Sequence, residues 1–552
     1  MLNKPEIEQT NQGLTVSYQN RLLYSKYNPS KAIKQTVSNL NYLPGTIFLC
    51  LSPVLDYGFN ELLESMKEDS IILCCELEQS LYDFEVINKS IPKNNSIAFL
   101  TKDEIINLPF LLQKNNVVFN DGTKLKKSGT YKRVVRIDMS AGVQFHSEFY
   151  DELYSACVNS ILTYWANRVT LTKFGRRYSM NFFRNLKLLP QTVPVESFFN
   201  SISKPILVCG AGQSLDKTIQ EIIERKNDFY ILCADTALKP LLKYNIIPDG
   251  VFVEEAQHII SKAFIGTLNK NIHLFASLSS LFQIPAAYDK CRVSFFTTVY
   301  TQSEFLENLI NQNLLPPANN PFGSVGLTVV WYALKFRRNK DVNVFVTGLD
   351  FSFSKGLTHT RNAPSVINTL IECSRLKSLN NYASSFGPGS EQIQDKNNLP
   401  VYTTHTLKTY ANLFNHLFEK TENLFDISHT GLKLNIEHKD ITNTKGTTLA
   451  VQELTVPAET MGTTLAVSGY RNKQKLENYF KDEINALEEL TDLLTNKQPM
   501  EEEIRSKKIK ELAEPREYLY LHFPDGHSFN SGISFLKRIR SEIDFFLKYL
   551  RD

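Results

Sequence analysis

At 552 residues the chain is longer than one hydrophobic core usually serves, so we expect two or three domains. Apolar residues make up 42% and charged residues 22%, which is an ordinary globular composition. A formal net charge of +3 is too small to indicate a nucleic-acid partner by itself. The amino-terminal residues are polar, no apolar run approaches about eighteen residues, and the cysteines show no zinc or disulfide spacing. The composition predicts a reduced, soluble, cytoplasmic protein without a membrane span or a metal site.

The first segment, residues 1–138, is predicted to be a Rossmann-like α/β domain. GTIFLCLS (Gly45–Ser52) and SIILCCELE (Ser70–Glu78) have the apolar runs of buried strands, with a helical pattern between them. An acid at the end of the second strand can bind a ribose, but that role requires a glycine-rich turn after the first strand, and SPVLDYG contains no GxGxxG. A domain with a structural role is therefore the favoured interpretation.

Three further segments follow. Residues 139–200 are predicted to form connecting helices, because apolar residues recur there at helical spacing. Residues 201–440 alternate short apolar runs with helical patterns, which predicts a mostly parallel, doubly wound sheet. Residues 441–552 carry apolar residues every three or four positions and are predicted to be an α-helical domain. The expected central strands are KPILVCG, FYILCA, GVFVEE, IHLFAS, VSFFTT and VNVFVTG.

The first central strand ends in a glycine-rich turn, VCGAGQSLD (Val208–Asp216), that leads into a helical pattern. Glycines allow backbone N–H groups to approach an anion, and the start of a helix favours negative charge. The turn therefore predicts a site for a phosphate-bearing ligand; the alternative is a plain strand-to-helix turn capped by Ser214 or Asp216. The candidate ligand-binding residues are Gly210, Gly212, Gln213, Ser214 and Leu215.

Polar residues also follow the next two strands. Asp235 and Thr236 come directly after FYILCA, and Glu254 and Glu255 end GVFVEE. Because ligands of doubly wound sheets bind at the carboxyl ends of the strands, we expect these residues near the glycine-rich turn. Asp235 or Thr236 is alternatively only a helix cap, whereas a buried acid at a strand end is costly without a partner and favours a functional role.

The last central strand leads to a candidate general base. VNVFVTG is followed by Asp350 and then, on a short loop, by Thr358 and His359. His359 lies just beyond a strand end among other polar residues, which favours a role as base; the alternative is an ordinary surface histidine. A second candidate anion-facing helix start precedes the apolar run VGLTVVWYALKF. Its residues are Gly323, Ser324 and Val325.

Five stretches follow one another along the chain: CGAGQSLD, ADTALKPLLKYNIIPDGVFVEE, NPFGSVGLTVVWYALKF, VTGLDFSFSKGLTHT and DISHTGLKLN. In this order they resemble the central domain of motility accessory factors, the Maf flagellin glycosyltransferases. That domain is shared with 6-hydroxymethylpterin diphosphokinase MptE-like proteins and is similar to bacterial sialyltransferases. The resemblance implies a multi-domain α/β protein with a central doubly wound, sialyltransferase-like (GT-A-like) domain. Gln213 departs from the pattern, because relatives usually have proline there, and Glu254 or Glu255 replaces a common aspartate.

The resemblance implies transfer of a nonulosonic acid, pseudaminic or legionaminic, from its CMP-activated form to serine or threonine hydroxyls of flagellin. This step would be needed for flagellum assembly and motility. His359 would be the general base, oriented by Thr358 or Asp350, and Asp235 and Thr236 would contact the nucleotide. No cofactor is expected, because helix-start amides can hold the single phosphate of CMP; Mg²⁺ is compatible but not required. The expected partners are the CMP-sugar and flagellin or a flagellin–chaperone complex, received by the carboxy-terminal helices.

Two alternatives remain open. A pterin diphosphokinase would use ATP and Mg²⁺, with Asp235, Glu254, Glu255 and Asp350 as metal candidates. The length of the chain disfavours it, because a small-molecule kinase needs neither the first two hundred or so residues nor the helical tail. The second alternative is a flagellar assembly factor without catalytic activity that retains a sugar-binding domain.

Overall fold

The computed structural model of the chain describes residues 4–83, 94–112, 114, 117–126, 129–301, 303–378, 389–441, 458–497 and 500–551, with the backbone alone described in 458–472. The chain divides into two compact units. Unit 1 comprises Met1–Lys173 and Phe523–His527, and unit 2 comprises Phe174–His522 and Ser528–Asp552. Both units contain a parallel sheet with helices, which confirms the predicted multi-domain α/β class. The predicted four-part division of the chain stays a prediction.

Unit 1 contains a small antiparallel sheet and a four-stranded parallel sheet. The antiparallel strands are β1 (Glu6–Thr10), β2 (Gly13–Tyr18) and β3 (Arg21–Leu22). The parallel strands are β4 (Thr46–Leu51), β5 (Ile71–Cys75), β6 (Ile97–Leu100) and β7 (Arg133–Asp138). The helices are α1 (Lys31–Ser38), α2 (Phe59–Ser65), α3 (Gln79–Tyr82) and α4 (Lys102–Leu111).

The parallel sheet of unit 1 has the order β6-β5-β4-β7, so the first strand, β4, lies inside the sheet. Every residue of β4 and β5 is buried, as expected for strands covered on both faces. The predicted strands Gly45–Ser52 and Ser70–Glu78 are therefore confirmed. Glu76, just after β5, accepts a 2.6 Å hydrogen bond from the Ser52 hydroxyl, and burial raises its pKa to about 7.

The stretch after β7 forms one long helix, α5 (Ser147–Leu188). The sequence predicts connecting helices over residues 139–200, and most of this stretch is one continuous α-helix. The stretch contains no proline, and its single glycine, Gly175, is used for close packing: a Cβ at this position would lie 2.2 Å from Leu521 Cδ1. A lone glycine lowers helix stability by only about 1 kcal/mol, so α5 continues through it.

Unit 2 is built on a parallel sheet with nine strands among the described residues. Its strands are β8 (Ile206–Cys209), β9 (Tyr230–Ala234), β10 (Gly250–Val253), β11 (His273–Ser277), β12 (Val293–Thr298), β13 (Ala318–Asn319), β14 (Val344–Thr347), β17 (Leu424–Asp426) and β18 (Glu437–His438). β15 (Ser390–Gln394) and β16 (Pro400–Thr404) form an antiparallel hairpin. All six predicted central strands are confirmed.

The order of the large sheet is β13-β12-β11-β10-β9-β8-β14-β17-β18. The chain adds strands in one direction from β8 to β13 and then returns to add β14, β17 and β18 on the other side. The order therefore reverses between β8 and β14, which are neighbours in the sheet. Such a point of reversal is where doubly wound sheets bind their ligands.

Helices cover the large sheet. They are α6 (Ser214–Arg225), α7 (Asp235–Lys243), α8 (Ser261–Phe264), α9 (Gln283–Ala287), α10 (Glu304–Asn311), α11 (Val325–Phe336), α12 (Pro364–Glu372) and α13 (His405–Phe418). Short 3-10 helices occur at Ala141–His146, Leu189–Gln191, Val195–Phe198, Lys226–Asp228, His258–Ile260, Lys290–Arg292 and Glu517–Leu519.

The core of unit 2 centres on α11, whose Tyr332 and Phe336 are fully buried with Phe252 and Phe275 of the sheet. Each such side chain stabilises the fold by roughly 1.5–3 kcal/mol through the apolar area that it removes from water. The last helices, α14 (Ala458–Leu494), α15 (Glu502–Ala513) and α16 (Ile533–Arg551), confirm the predicted helical character of the carboxy-terminal stretch.

Candidate functional site

The candidate site lies where the order of the large sheet reverses, at the carboxyl ends of β8 and β14. The Gly210 N–H donates to Thr347 O, and the Gly212 N–H donates to Gly348 O, each at 2.8 Å. A Cβ on Gly348, whose φ is +70°, would lie 2.2 Å from Gly210 O. Glycine at these positions therefore allows the two strand-end loops to touch.

Asp350 caps the helix that follows the glycine-rich turn. Its carboxylate accepts a 2.7 Å hydrogen bond from the Ser214 N–H, the first amide of α6, and a second from the Ser214 hydroxyl. The same hydroxyl accepts a 3.0 Å bond from the Gly348 N–H. Asp350 is only 5% exposed, and burial raises its pKa to about 6. The cap therefore comes from a residue 136 positions away. The alternative interpretation of the turn assigned the cap to the side chain of Ser214 or Asp216.

Few amides of the glycine-rich turn are left for a ligand. The Leu215 N–H donates to Gly212 O at 3.2 Å, and the Asp216 N–H donates to Gln213 O at 3.0 Å. In the part of the chain that the structure describes, the N–H groups of Ala211 and Gln213 have no hydrogen-bond partner. An anion at this turn would therefore rely on these two donors.

The Gln213 side chain connects the turn to the loop after β14. Its Oε1 accepts hydrogen bonds from the N–H and the hydroxyl of Ser354 at 3.0 and 2.9 Å, and its Nε2 donates to Leu357 O at 2.6 Å. The backbone φ of Gln213 is −66°, which is the value that proline requires. Gln213 therefore has a backbone conformation that proline could also adopt. Its side chain adds a clamp, namely the hydrogen bonds to Ser354 and Leu357.

This clamped loop carries His359. The hydroxyl of Thr358 lies 3.0 Å from His359 Nδ1, and the next residue, Thr360, donates its N–H to Ala211 O at 2.8 Å. His359 is half-buried, and burial lowers its pKa, so the imidazole is neutral at neutral pH. The Thr358 hydroxyl is thus in contact with the His359 ring, whereas the Asp350 carboxylate is bonded to Ser214.

Asp235 is the first residue of α7, directly after β9. Its Oδ1 accepts hydrogen bonds from the N–H and hydroxyl of Thr236 at 2.6 and 2.9 Å. Its Oδ2 is buried and has no hydrogen-bond partner among the described residues. Burial, with smaller contributions from the neighbouring Glu255 and Glu254, raises the pKa of Asp235 to about 7. Asp235 is therefore close to half protonated at neutral pH.

The two glutamates after β10 have different surroundings. Glu254 accepts hydrogen bonds from the hydroxyls of Thr298 and Thr328 at 2.7 and 2.8 Å, and burial raises its pKa. Glu255 accepts a 2.8 Å bond from the Gln257 N–H. Glu254 is thus held by the end of β12 and by α11, while Glu255 organises its own loop.

The second predicted helix start, Gly323–Val325, also reaches the point of reversal. A Cβ on Gly326 would lie 2.4 Å from Leu349 Cδ2, and a Cβ on Gly210 would lie 2.6 Å from the same atom. Ser324 is extended and its side chain does not cap α11, and no other described side chain accepts from the first amides of this helix. Both helix starts therefore converge on Leu349.

Several polar residues of this edge were not predicted from the sequence. Lys396, in the turn between β15 and β16, forms a buried ion pair with Asp426 and donates to Ser428 O at 2.8 Å. Asn181 and Asn185 of α5 are fully buried, and Asn185 Nδ2 donates to Leu278 O and Ser280 O at 2.9 Å. Of these residues, only Asp426 belongs to a motif that the sequence analysis singled out, DISHTGLKLN. A lysine in a polar turn and asparagines in a helix have no local pattern that would indicate a site.

Among the described residues, no group of three or more histidine, cysteine, aspartate or glutamate side chains is placed to hold a metal ion. Asp235, Glu254 and Glu255 lie at neighbouring strand ends without forming such a group. In the same part of the chain, no helix is both long and apolar enough to cross a bilayer.

Comparisons with known proteins agree with this architecture. Residues 180–356 match the family model described as 6-hydroxymethylpterin diphosphokinase MptE-like. The solved structure of the Maf glycosyltransferase from Magnetospirillum magneticum AMB-1 is similar with a TM-score of 0.53 and 12% identity, covering 99% of this chain and 91% of that one. These matches confirm the predicted resemblance to Maf proteins with an MptE-like central domain.

A closer similarity in sequence is to an uncharacterized protein of Treponema pallidum (strain Nichols). The two are 31% identical over 565 aligned positions, which cover 99% of this chain and 95% of the relative. Identity at this level over the whole length indicates common descent, while the Maf structure indicates a shared fold. The chain therefore belongs to one family with the T. pallidum protein, carries an MptE-like domain and has the fold of a Maf glycosyltransferase.

Proposed function

We propose that the chain is a glycosyltransferase that moves a nonulosonic acid, pseudaminic or legionaminic, from its CMP-activated form to serine or threonine hydroxyls of flagellin. The observation that carries this proposal is the placement of His359. Its imidazole is kept neutral by burial and contacts the Thr358 hydroxyl, and hydrogen bonds of Gln213 and Thr360 hold its loop against the glycine-rich turn. A neutral, oriented histidine at a ligand-binding edge is suited to general-base catalysis.

The chemistry follows from these residues. The acceptor hydroxyl oxygen forms a bond to the anomeric carbon, the bond from that carbon to the CMP phosphate oxygen breaks, and CMP leaves with the electron pair. His359 accepts the proton of the hydroxyl. Direct displacement inverts the anomeric centre, and the charge of the leaving phosphate is met by backbone N–H donors, such as those of Ala211 and Gln213 and the first amides of α11.

The nucleotide and sugar hydroxyls need acceptors, which the acidic strand ends supply. The buried Oδ2 of Asp235 has no hydrogen-bond partner among the described residues. Thr236 is the next residue in the sequence, and Glu255 lies at the end of the neighbouring strand. A hydrogen bond from a ligand hydroxyl or amine would satisfy this oxygen, whose isolation costs free energy. No cofactor is required by this arrangement.

Flagellin or its complex with a chaperone would meet the enzyme in the cytoplasm, before assembly into the filament. The test is the intact mass of flagellin co-expressed with the chain and a CMP-nonulosonic acid pathway. We expect sugar-sized increments with wild type and a loss of at least about 100-fold in His359→Ala, the usual scale for a general base. His416→Ala, on the exposed side of α13, is the matched control and should retain the increments.

An unmodified flagellin in the presence of a verified donor supply would contradict the proposal and favour an assembly factor without catalytic activity. Full transfer by His359→Ala would instead show that another residue is the general base. A second candidate function is a pterin diphosphokinase, favoured by the family match over residues 180–356. It would be revealed by Mg²⁺- and ATP-dependent formation of a pterin diphosphate, with loss of that product in Asp235→Asn.

A further inference from the structure

We propose that a groove between the end of α5 and α14 is a docking surface for the polypeptide acceptor, which it binds through an acidic segment with an apolar anchor. This inference rests on the proposed function, because it concerns how a protein substrate is recognised. The groove belongs to unit 2 and has a cavity volume of about 570 Å³. That volume accommodates a few side chains.

The floor of the groove is apolar. Leu186 of α5 and Leu476 of α14 are buried, with Phe480 and Pro190 beside them. Phe480 is only half-buried, so an aromatic face remains at the surface. An apolar side chain of a partner would cover this floor and remove its surface from water.

The rim of the groove is basic. Lys187, Lys473 and Lys481 lie on it against a single acid, Glu477. Lys473 is 3.9 Å from Glu477, and Lys187 Nζ lies 5.4 Å from the Phe480 ring centroid. On α14 the rim and floor positions recur at 473, 476, 477, 480 and 481, which is one face of a helix. Lys187 also donates to Leu550 O at 3.0 Å, and Lys473 pairs with Glu477, so the lining has a net positive charge that is partly engaged within the protein. This charge favours a partner segment that carries a carboxylate.

The residues that line the groove are not those of the candidate site. Leu186 directly follows Asn185, which donates to Leu278 O and Ser280 O just beyond the carboxyl end of β11. The chain then leaves α5 through the turn Leu189–Gln191, and the Val193 N–H donates to Val293 O, at the amino end of β12. The stretch that lines the groove therefore runs from the carboxyl towards the amino ends of these strands, and His359 is not part of it.

The test compares two acceptors: intact flagellin and a short flagellin peptide that contains one acceptor hydroxyl. In Lys473→Glu/Lys481→Glu we expect the KM for intact flagellin to rise about tenfold at low salt, while kcat and the KM for the peptide stay unchanged. The matched control is Lys507→Glu/Lys510→Glu, which reverses two exposed lysines of α15. Binding of flagellin to each variant, measured by calorimetry without donor, gives a readout that does not require turnover.

The outcomes separate the two proposals. Equal flagellin KM and equal binding in both double variants would overturn the docking surface while leaving the transferase in place. A parallel rise of the KM for the short peptide would also overturn it, since the groove would then act on the chemistry. No transfer by wild type to either acceptor would overturn the proposed function, and the binding measurement alone would then decide the groove.

Discussion

Two buried carboxyl groups at the strand ends of unit 2 illustrate what individual residues contribute. Asp350 uses its carboxylate to cap α6, whereas one oxygen of Asp235 has no hydrogen-bond partner in the described part of the chain. Both groups have pKa values raised by burial, to about 6 and about 7. The same residue type at the same edge is therefore used once for structure and once as a candidate ligand contact.

The raised pKa of Asp235 predicts a pH-dependent stability. Between its unfolded value of 3.8 and its folded value of about 7, the folded state binds a proton that the unfolded state has lost, so stability falls as pH rises through this window. Asp235→Asn should remove a slope of about 1 kcal/mol per pH unit from the free energy of unfolding between pH 5 and 7. Urea denaturation of unit 2 at both pH values measures it. An unchanged slope, equal to that of the exposed Asp341→Asn, would refute the assignment.

At this scale the sequence was informative where the signal is local. An acid after a strand, a glycine-rich turn and a histidine on the following loop are all visible in a short window, and Thr358 adjoins His359. The bond from Asp350 to Ser214 joins distant parts of the chain, and Lys396 reaches the site through a hairpin turn. Neither contact has a local pattern, because the fold alone brings the partners together.

Elements were predictable wherever burial imposes a simple period. Strands covered on both faces are continuous apolar runs, which is why β4, β5, β8 to β12 and β14 could be placed. The length of α5 was not predictable, because Gly175 in a helical pattern also fits a break between two helices. Its role in packing against Leu521 depends on a contact far away in the sequence.

The contact between the loops after β8 and β14 predicts a strict requirement for glycine. In Gly348→Ala the new Cβ would lie 2.2 Å from Gly210 O with φ at +70°, so we expect a loss of roughly 3 kcal/mol or more in the free energy of unfolding. Gly266→Ala is the control, since φ is +78° but nothing lies within 4 Å, and it should cost only about 1–2 kcal/mol. Chemical denaturation compares them, and equal losses would show that the close approach is unimportant.

The clamp made by Gln213 can be separated from its backbone. Gln213→Pro suits the φ of −66° and should leave the free energy of unfolding within about 1–2 kcal/mol, because only side-chain hydrogen bonds are lost. The amide of Ser354 loses its acceptor, so its hydrogen exchange should become roughly tenfold faster, as in Gln213→Ala. Unfolding of α6 in the proline variant would contradict the backbone argument.

The whole molecule consists of two units, each with its own buried apolar clusters. Length and the two sets of apolar runs predict more than one domain. The division at Lys173 has no such signal, because it falls inside α5, and the assignment of Phe523–His527 to unit 1 joins residues that are hundreds of positions apart. The local composition of a late segment does not show that it belongs with a much earlier part of the chain.

Separate cores predict separate responses to a cavity. Leu49 is fully buried in unit 1, so Leu49→Ala should cost about 2–5 kcal/mol there. Hydrogen exchange should show lower protection for the amides of β4, with the amides of β8 in unit 2 unchanged. A uniform loss of protection in both strands would indicate one cooperative molecule instead.

The carboxylate of Asp350 at the start of α6 has a consequence for turnover. The positive end of this helix is already neutralised by the protein, so a phosphate arriving there meets negative charge as well as amides. Under the proposed function, we expect the spent nucleotide to be held loosely at this helix start and product inhibition to be weak. Since the pKa of Asp350 is about 6, mild acidification would remove that charge and slow the departure of the nucleotide.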